Sequence, residues 1–276
     1  EIYYSNQLAG QSEALDALAR GTIDLQNSTP SAWATKIPES NLFGLPFWTM
    51  GHEHINHILR ETEVGKLFEE SLEDYGVKLL FYWPSADSGF MSTSPIASPE
   101  DMKGLVVNNV SSSSIDLYEA MGAGVASITL AELYEGYYRG TIDASQFAFS
   151  SLKSMKLHEV VPYITVPATI SPSVGFITMS KASYDKLPAD LQETLMEVAM
   201  EMEALAYEGS EKLTEENFKA AEEFGTEVVK MTEEGYKEFQ KIGQETMWKN
   251  FEEMNDRTKK MLEILKTENE KWMEEN

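Results

Sequence analysis

RGTID is read twice along the chain, as Arg20-Gly21-Thr22-Ile23-Asp24 and as Arg139-Gly140-Thr141-Ile142-Asp143. A helix-period stretch precedes each copy: Ala14, Leu15 and Leu18 before the first, Leu130, Leu133 and Tyr134 before the second. Arginine followed by glycine supplies the cation and the left-handed residue that a helix C-terminus favours. Both copies therefore read as one joint, a helix ending and a strand beginning.

Working outward, strands and helices alternate around each joint. Ser12, with Glu13 and Asp16 behind it, reads as the N-cap of the first helix, and residues 1–5 (EIYYS) read as a strand. NLFGLPFW (41–48) contains Pro46, which argues for a buried loop or 3₁₀ segment. Helical patterns at 52–60 and 64–75 lead through Gly76 into VKLLFYW (77–83), an apolar run typical of a strand covered on both faces. The second block repeats the rhythm. SPEDMKG (98–104) is a capped turn of helix, LVVN (105–108) and VASI (125–128) are strands, and helices at 114–121 and 130–139 separate them. VGFITMS (174–180) is a further strand, and from Pro188 the chain is almost wholly helical except near 225–231.

Two successive α/β blocks with equivalent joints predict an α/β fold of two lobes with mainly parallel sheets, and such sheets bind ligands beyond the carboxyl ends of their strands. The predicted ligand site is the cleft between the lobes. The boundaries read from the sequence are 1–88 plus 176–230 for the N-terminal lobe and 89–175 plus 231–276 for the C-terminal lobe.

Composition narrows the chemistry. The chain has 276 residues, 42% hydrophobic and 25% charged, with a formal net charge of −24. That charge repels nucleic-acid phosphates and anionic membrane surfaces, so neither is an expected partner. Cysteine is absent, which removes disulfides, zinc-thiolate sites and a Cys nucleophile. GHEHINH (51–57) lacks the HExxH spacing; a metal-dependent enzyme built on the His52–His57 cluster is the weaker alternative function, alongside a solute sensor for a signalling receptor. No phosphate loop or nucleophile elbow is present, so neither catalysis nor a cofactor is expected. No apolar run is long enough to span a bilayer, and no signal peptide is seen at Glu1.

SPEDMKGLVV, MGAGVASITLAELYEGYYRGTID, GLPFW, EHINHIL and VGFITMSKASYDKLP, taken in order, resemble the dicarboxylate-binding (DctP) family of extracytoplasmic solute-binding proteins of tripartite ATP-independent periplasmic (TRAP) transporters. The resemblance covers nearly the whole chain. It implies a flytrap-like periplasmic receptor whose lobes are joined by long strands and a long helix. The receptor would capture a small organic solute by hinge closure and hand it to the small and large membrane subunits of an ion-gradient-driven transporter. It also implies a processed mature chain, and a family strand and helix ahead of Glu1 whose end helps line the pocket. A monomer is expected, or a homodimer through the C-terminal helices. Those helices carry Trp248, Phe251, Met254, Met261, Leu262, Leu265 and Trp272 at apolar spacing, expected to pack on the second lobe.

One departure matters for the ligand. The family's carboxylate-binding arginine aligns with Asn108, a second arginine with Ser88, and a family asparagine with Phe147. The chain has four arginines, Arg20, Arg60, Arg139 and Arg257, and none is expected in the cleft. A cleft lined by aromatic, hydroxyl and amide groups suits an organic acid, zwitterion or polar compound with an apolar or aromatic part better than a small dicarboxylate. The candidate ligand-binding residues are Ser28, Ser31, Trp33, Phe47, Trp48, Trp83, Asp87, Ser88, Asn108, Ser111, Gln146, Phe147, Ser171 and Ser173. Each has a plainer role open to it: the tryptophans in the core, Asp87 in a turn, and the serines at 111–114 as caps of the following helix.

Overall fold

The computed structural model describes residues 1–4, 7–108 and 114–275. The two joints are built alike. Helix Gln11–Ala19 and helix Leu133–Tyr138 each end on an arginine cap and a glycine of positive φ, 70° at Gly21 and 67° at Gly140. In the first, Thr22 N and Oγ1 both donate to the Ala17 carbonyl, at 2.9 and 3.1 Å; in the second, Thr141 N and Oγ1 donate to Gly136 at the same two distances. A threonine that returns its own hydroxyl to an orphaned helix carbonyl gives a stop signal stronger than glycine alone.

Among the described residues, nine strands form two sheets. β1 (Leu25–Ser28), β2 (Val77–Pro84) and β8 (Val174–Ser180) make the first, in the order β1-β8-β2. β3 (Ser88–Ser92), β4 (Val106–Asn108), β5 (Gly124–Ala126), β6 (Ala144–Ala148), β7 (Tyr163–Val166) and β9 (Glu227–Lys230) make the second, in the order β5-β4-β6-β3-β7-β9. Instead of mainly parallel sheets, the first is antiparallel in both its pairings and the second is mixed. β8 runs against both neighbours in the first sheet, and β3 against both of its own in the second. The reason is connectivity: β3 enters the second lobe directly from β2 and β8 re-enters the first after β7, so each arrives opposed to the strands laid down by local βα units.

The largest core begins in the first lobe and reaches Phe90, Val107 and Ala144 of the second sheet, and a separate core lies within the second lobe. Phe43, Phe68 and Phe176 pack edge-on or tilted against one another at 4.9–5.8 Å in the first lobe, with Trp33 5.0 Å from Phe176. In the second, Leu133, Tyr137, Ile142, Phe149 and Ile164 are buried together. Residues 1–4 form no strand. Helix His52–Asn56 runs into a π turn, His57–Glu61, before helix Glu63–Asp74. Among the described residues, no helix is long and apolar enough to cross a membrane.

Helix Ala189–Phe224, 36 residues long, ties the lobes together. Glu203 accepts from the Tyr82 N–H of β2 and from Arg60, whereas Phe218 packs tilted against Phe149 and Ala221 lies in the second core. Two chain segments depart from the boundaries read from the sequence. β9, assigned to the first lobe, pairs in parallel with β7 of the second sheet. The terminal helix Asp256–Glu275, assigned to the second lobe, packs on the first: Arg257 pairs with Asp74, Lys260 with Glu63, and the Trp272 ring lies 4.8 Å from His54. Trp248, Phe251, Met261, Leu262 and Leu265 are buried there, and Met254 remains exposed.

Candidate functional site

A cavity of about 570 Å³ opens between the two sheets. The first lobe supplies the turns after β1 (Thr29–Ser31) and the 3₁₀ segment Pro38–Gly44, which contributes Ser40, Asn41 and Phe43. The second supplies the carboxyl ends of β4 and β6 (Asn108, Ser145–Ala148), Ser114 and Tyr118 from the start of the next helix, and Leu130 and Leu133. Ser88, Ile170, Ser173 and Val174, where the chain passes from one lobe to the other, close the back. Strand ends from both blocks thus face one space, as the repeated joint implies.

Six expected residues line this space: Ser31, Ser88, Asn108, Gln146, Phe147 and Ser173. Ser88 Oγ and Ser173 Oγ share a 2.7 Å hydrogen bond. Asn108, nearly buried at the end of β4, accepts from Ile128 N–H through Oδ1 at 3.0 Å. Tyr118 donates to Gln146 Oε1 at 2.9 Å.

Seven others lie elsewhere, and packing explains each. Trp33 and Trp48 are core residues, Trp33 against Phe176 and Trp48 edge-on to Phe43. Trp83 packs against Gly175: a Cβ there would sit 2.1 Å from its ring, so the missing side chain is what seats the indole away from the cavity. Phe47, with a positive φ of 56°, turns its ring to Tyr236 and donates its N–H to the Thr169 carbonyl. Ser28 is buried on β1 opposite Phe176. Asp87 and Ser171 bond each other at 2.9 Å behind the cleft, where burial raises the Asp87 carboxyl above the usual range. Ser111 lies outside the described residues.

Among the described lining residues none carries an ionisable acid, amine, guanidinium or imidazole group. The sequence of 109–113, outside the described residues, is Asn-Val-Ser-Ser-Ser and contains no such group. The arginines are engaged elsewhere. Arg60 is held charged between Glu69 and Glu203, Arg139 pairs with Glu135, Arg257 with Asp74, and Arg20 caps its helix. The histidines do not converge on a metal either. Burial lowers His52, whose Nε2 lies 2.8 Å from Ser210 Oγ. His54 Nδ1 accepts from Met50 N–H, and His57 sits between Glu61 and Glu268. Among the described residues no group of three or more His, Cys, Asp or Glu is placed to hold a metal ion.

Sequence reasoning missed Ser40, Asn41, Phe43, Tyr118, Leu133 and Met247 in the wall. The buried-loop reading of 41–48 pointed at Asn41 and Phe43. Met247 arrives from the C-terminal helices, and no local pattern signals it.

The model for "Bacterial extracellular solute-binding protein, family 7" matches residues 1–254. A solute-binding protein of Albidiferax ferrireducens is 27% identical over 266 residues, covering 96% of this chain and 78% of that protein. The 2,3-diketo-L-gulonate-binding periplasmic protein of Escherichia coli is 28% identical over 204 residues, and the match spans 73% of this chain and 61% of that protein. The crystal structure of a TRAP periplasmic solute-binding protein from Rhodoferax ferrireducens, with bound malonate, superposes with a TM-score of 0.86 at 26% identity, covering 99% of this chain and 87% of the other.

Proposed function

Because the chain belongs to family 7 of the bacterial extracellular solute-binding proteins, we propose that its interlobe cavity captures a small organic solute for the membrane subunits of a TRAP transporter. The observation that carries this reading is the cavity itself, walled by strand ends of both lobes and closed behind by the crossing strands. One solved relative holds bound malonate and another is named for binding 2,3-diketo-L-gulonate, which supports small organic solutes as the class. In this chain the contacts fall to Ser31, Ser88, Asn108, Gln146, Phe147 and Ser173, with Asn41, Phe43 and Tyr118 beside them. Family membership supports periplasmic residence and delivery of the closed form to the membrane subunits.

The lobes close by hinging at the crossings near residues 84–88 and 167–174, with helix Ala189–Phe224 flexing between them. A solute held by one lobe gains the other's contacts only on closure, so binding shifts the population to the closed form. Small-angle scattering of the purified protein, before and after saturation with the solute released from it and identified by mass spectrometry, tests this. A smaller radius of gyration on loading is expected, and superimposable curves refute the hinge.

A further inference from the structure

The amides of the cavity wall have a direction, because which end of an amide a ligand meets depends on what its other end already holds. Only the oxygen of Asn108 can accept the Ile128 N–H, so the group it has left for a ligand is the Nδ2 amino group. Gln146 Oε1 takes the Tyr118 hydroxyl hydrogen, which leaves Nε2. Both residues stand on the second lobe, Asn108 at the end of β4 and Gln146 midway along β6. Asn41, on the first lobe, is set the opposite way. Its Nδ2 donates to the Ala34 carbonyl at 3.0 Å and the Pro38 carbonyl at 2.9 Å, so Oδ1 is its remaining polar atom. Next to it Ser40, 1% exposed and lining the same cavity, has a hydroxyl without a protein partner. Phe43, Phe147, Ile170 and Val174 fill the space between with apolar surface.

We propose that this cavity selects net-neutral solutes, carrying a carbonyl acceptor for the second lobe, an N–H or O–H donor for the first and an apolar body between, and that it discriminates against the corresponding carboxylates. Diamides with an apolar spacer between the two groups have this pattern, and a single carboxamide or lactam meets one end of it. The proposal rests on the solute-receptor reading above and narrows its chemistry. A carboxylate would also accept from Asn108 and Gln146. It would, however, lose its water with no cation among the described lining residues, and it would approach a chain of net charge −24. A second carboxylate at the other end would meet the lone pairs of Asn41 Oδ1. An amide N–H there is a donor and satisfies it.

The test is a set of acid and amide pairs on common skeletons, malonate and malonamide, benzoate and benzamide, nicotinate and nicotinamide, followed by thermal unfolding and titration calorimetry. Stabilisation by amides exceeding that by their acids about tenfold or more in Kd is the expected result. Acids binding as well as or better than their amides overturn the proposal and leave the receptor reading standing. Silence from every member of the set, together with no solute released from the purified protein, overturns the receptor reading and the proposal with it.

Two variants make the assignment specific. Asn108→Asp and Gln146→Glu each keep the oxygen that holds Ile128 N–H or Tyr118 OH, so each preserves its scaffold bond while exchanging donors for acceptors. Each is expected to weaken the best amide about tenfold at pH 7. Unchanged amide affinity in both, with the free proteins unfolding at the wild-type temperature, overturns the donor assignment.

Discussion

Ser88 Oγ and Ser173 Oγ, 2.7 Å apart, join the two strands by which the chain passes between its lobes. Beside them Ser88 N–H donates to the Ile170 carbonyl and Ile170 N–H donates back, so the crossings are paired at the back of the cavity. A double-mutant cycle with Ser88→Ala and Ser173→Ala is expected to give a coupling of about 0.5–1.5 kcal/mol in urea unfolding. Strictly additive effects would show that the two hydroxyls do not act as a pair.

Gly175 is a glycine because Trp83 needs its space. Gly175→Ala is expected to cost about 1–3 kcal/mol, since the new methyl collides with the indole ring. Adding Trp83→Leu should recover part of that loss. A Gly175→Ala protein that melts with the wild type would mean the indole can move aside.

Arg60 neutralises Glu203, whose side chain is 7% exposed and whose carboxylate also accepts from the Tyr82 N–H. Arg60→Met leaves that charge buried and alone, at a cost of about 3–5 kcal/mol. Glu203→Gln, which keeps an acceptor for Tyr82, should cost less. Chemical denaturation of the two variants ranks them, and the reverse order would contradict the assignment.

His54 predicts a pH dependence. Burial lowers its pKa to about 4, below the usual 6.5, so the unfolded chain binds a proton between those values that the folded chain refuses. Stability therefore rises with pH through this window and is lost as pH falls from 6.5 towards 4. Between pH 7 and 5 the loss from this group is about 2 kcal/mol. His57, raised by Glu61 and Glu268, works in the opposite sense at higher pH, its contribution fading as pH rises past its folded value. Urea midpoints of wild type and His54→Gln across pH 5–7 isolate the effect: the variant should have the flatter profile, and equal slopes would remove His54 as its source.

The repeated pentapeptide was legible because everything that defines the joint is local. The helix cation, the left-handed glycine and the threonine hydroxyl all bond within five residues, and Thr22 and Thr141 accordingly make the same bonds. Asn108, Gln146 and Phe147 were found for a related reason: they sit at or near the ends of strands, and strands are placed by the alternation of elements. Trp33, Trp48 and Trp83 were misplaced because a large aromatic at a strand end or loop suits a core and a cleft equally, and long-range partners decide. Those partners are Phe176, Phe43 and the absent side chain of Gly175.

By itself, the sequence determined the two α/β blocks, their joints and the absence of a cationic anchor at position 108, since periodicity, caps and residue identity are properties of short stretches. Tertiary structure alone decided that β9 joins the second sheet, that the terminal helix returns to the first lobe, and that Asn41 faces the cleft as an acceptor while Asn108 faces it as a donor. An asparagine has both ends in any sequence. Which end remains for a ligand is fixed only when the folded backbone has taken the other.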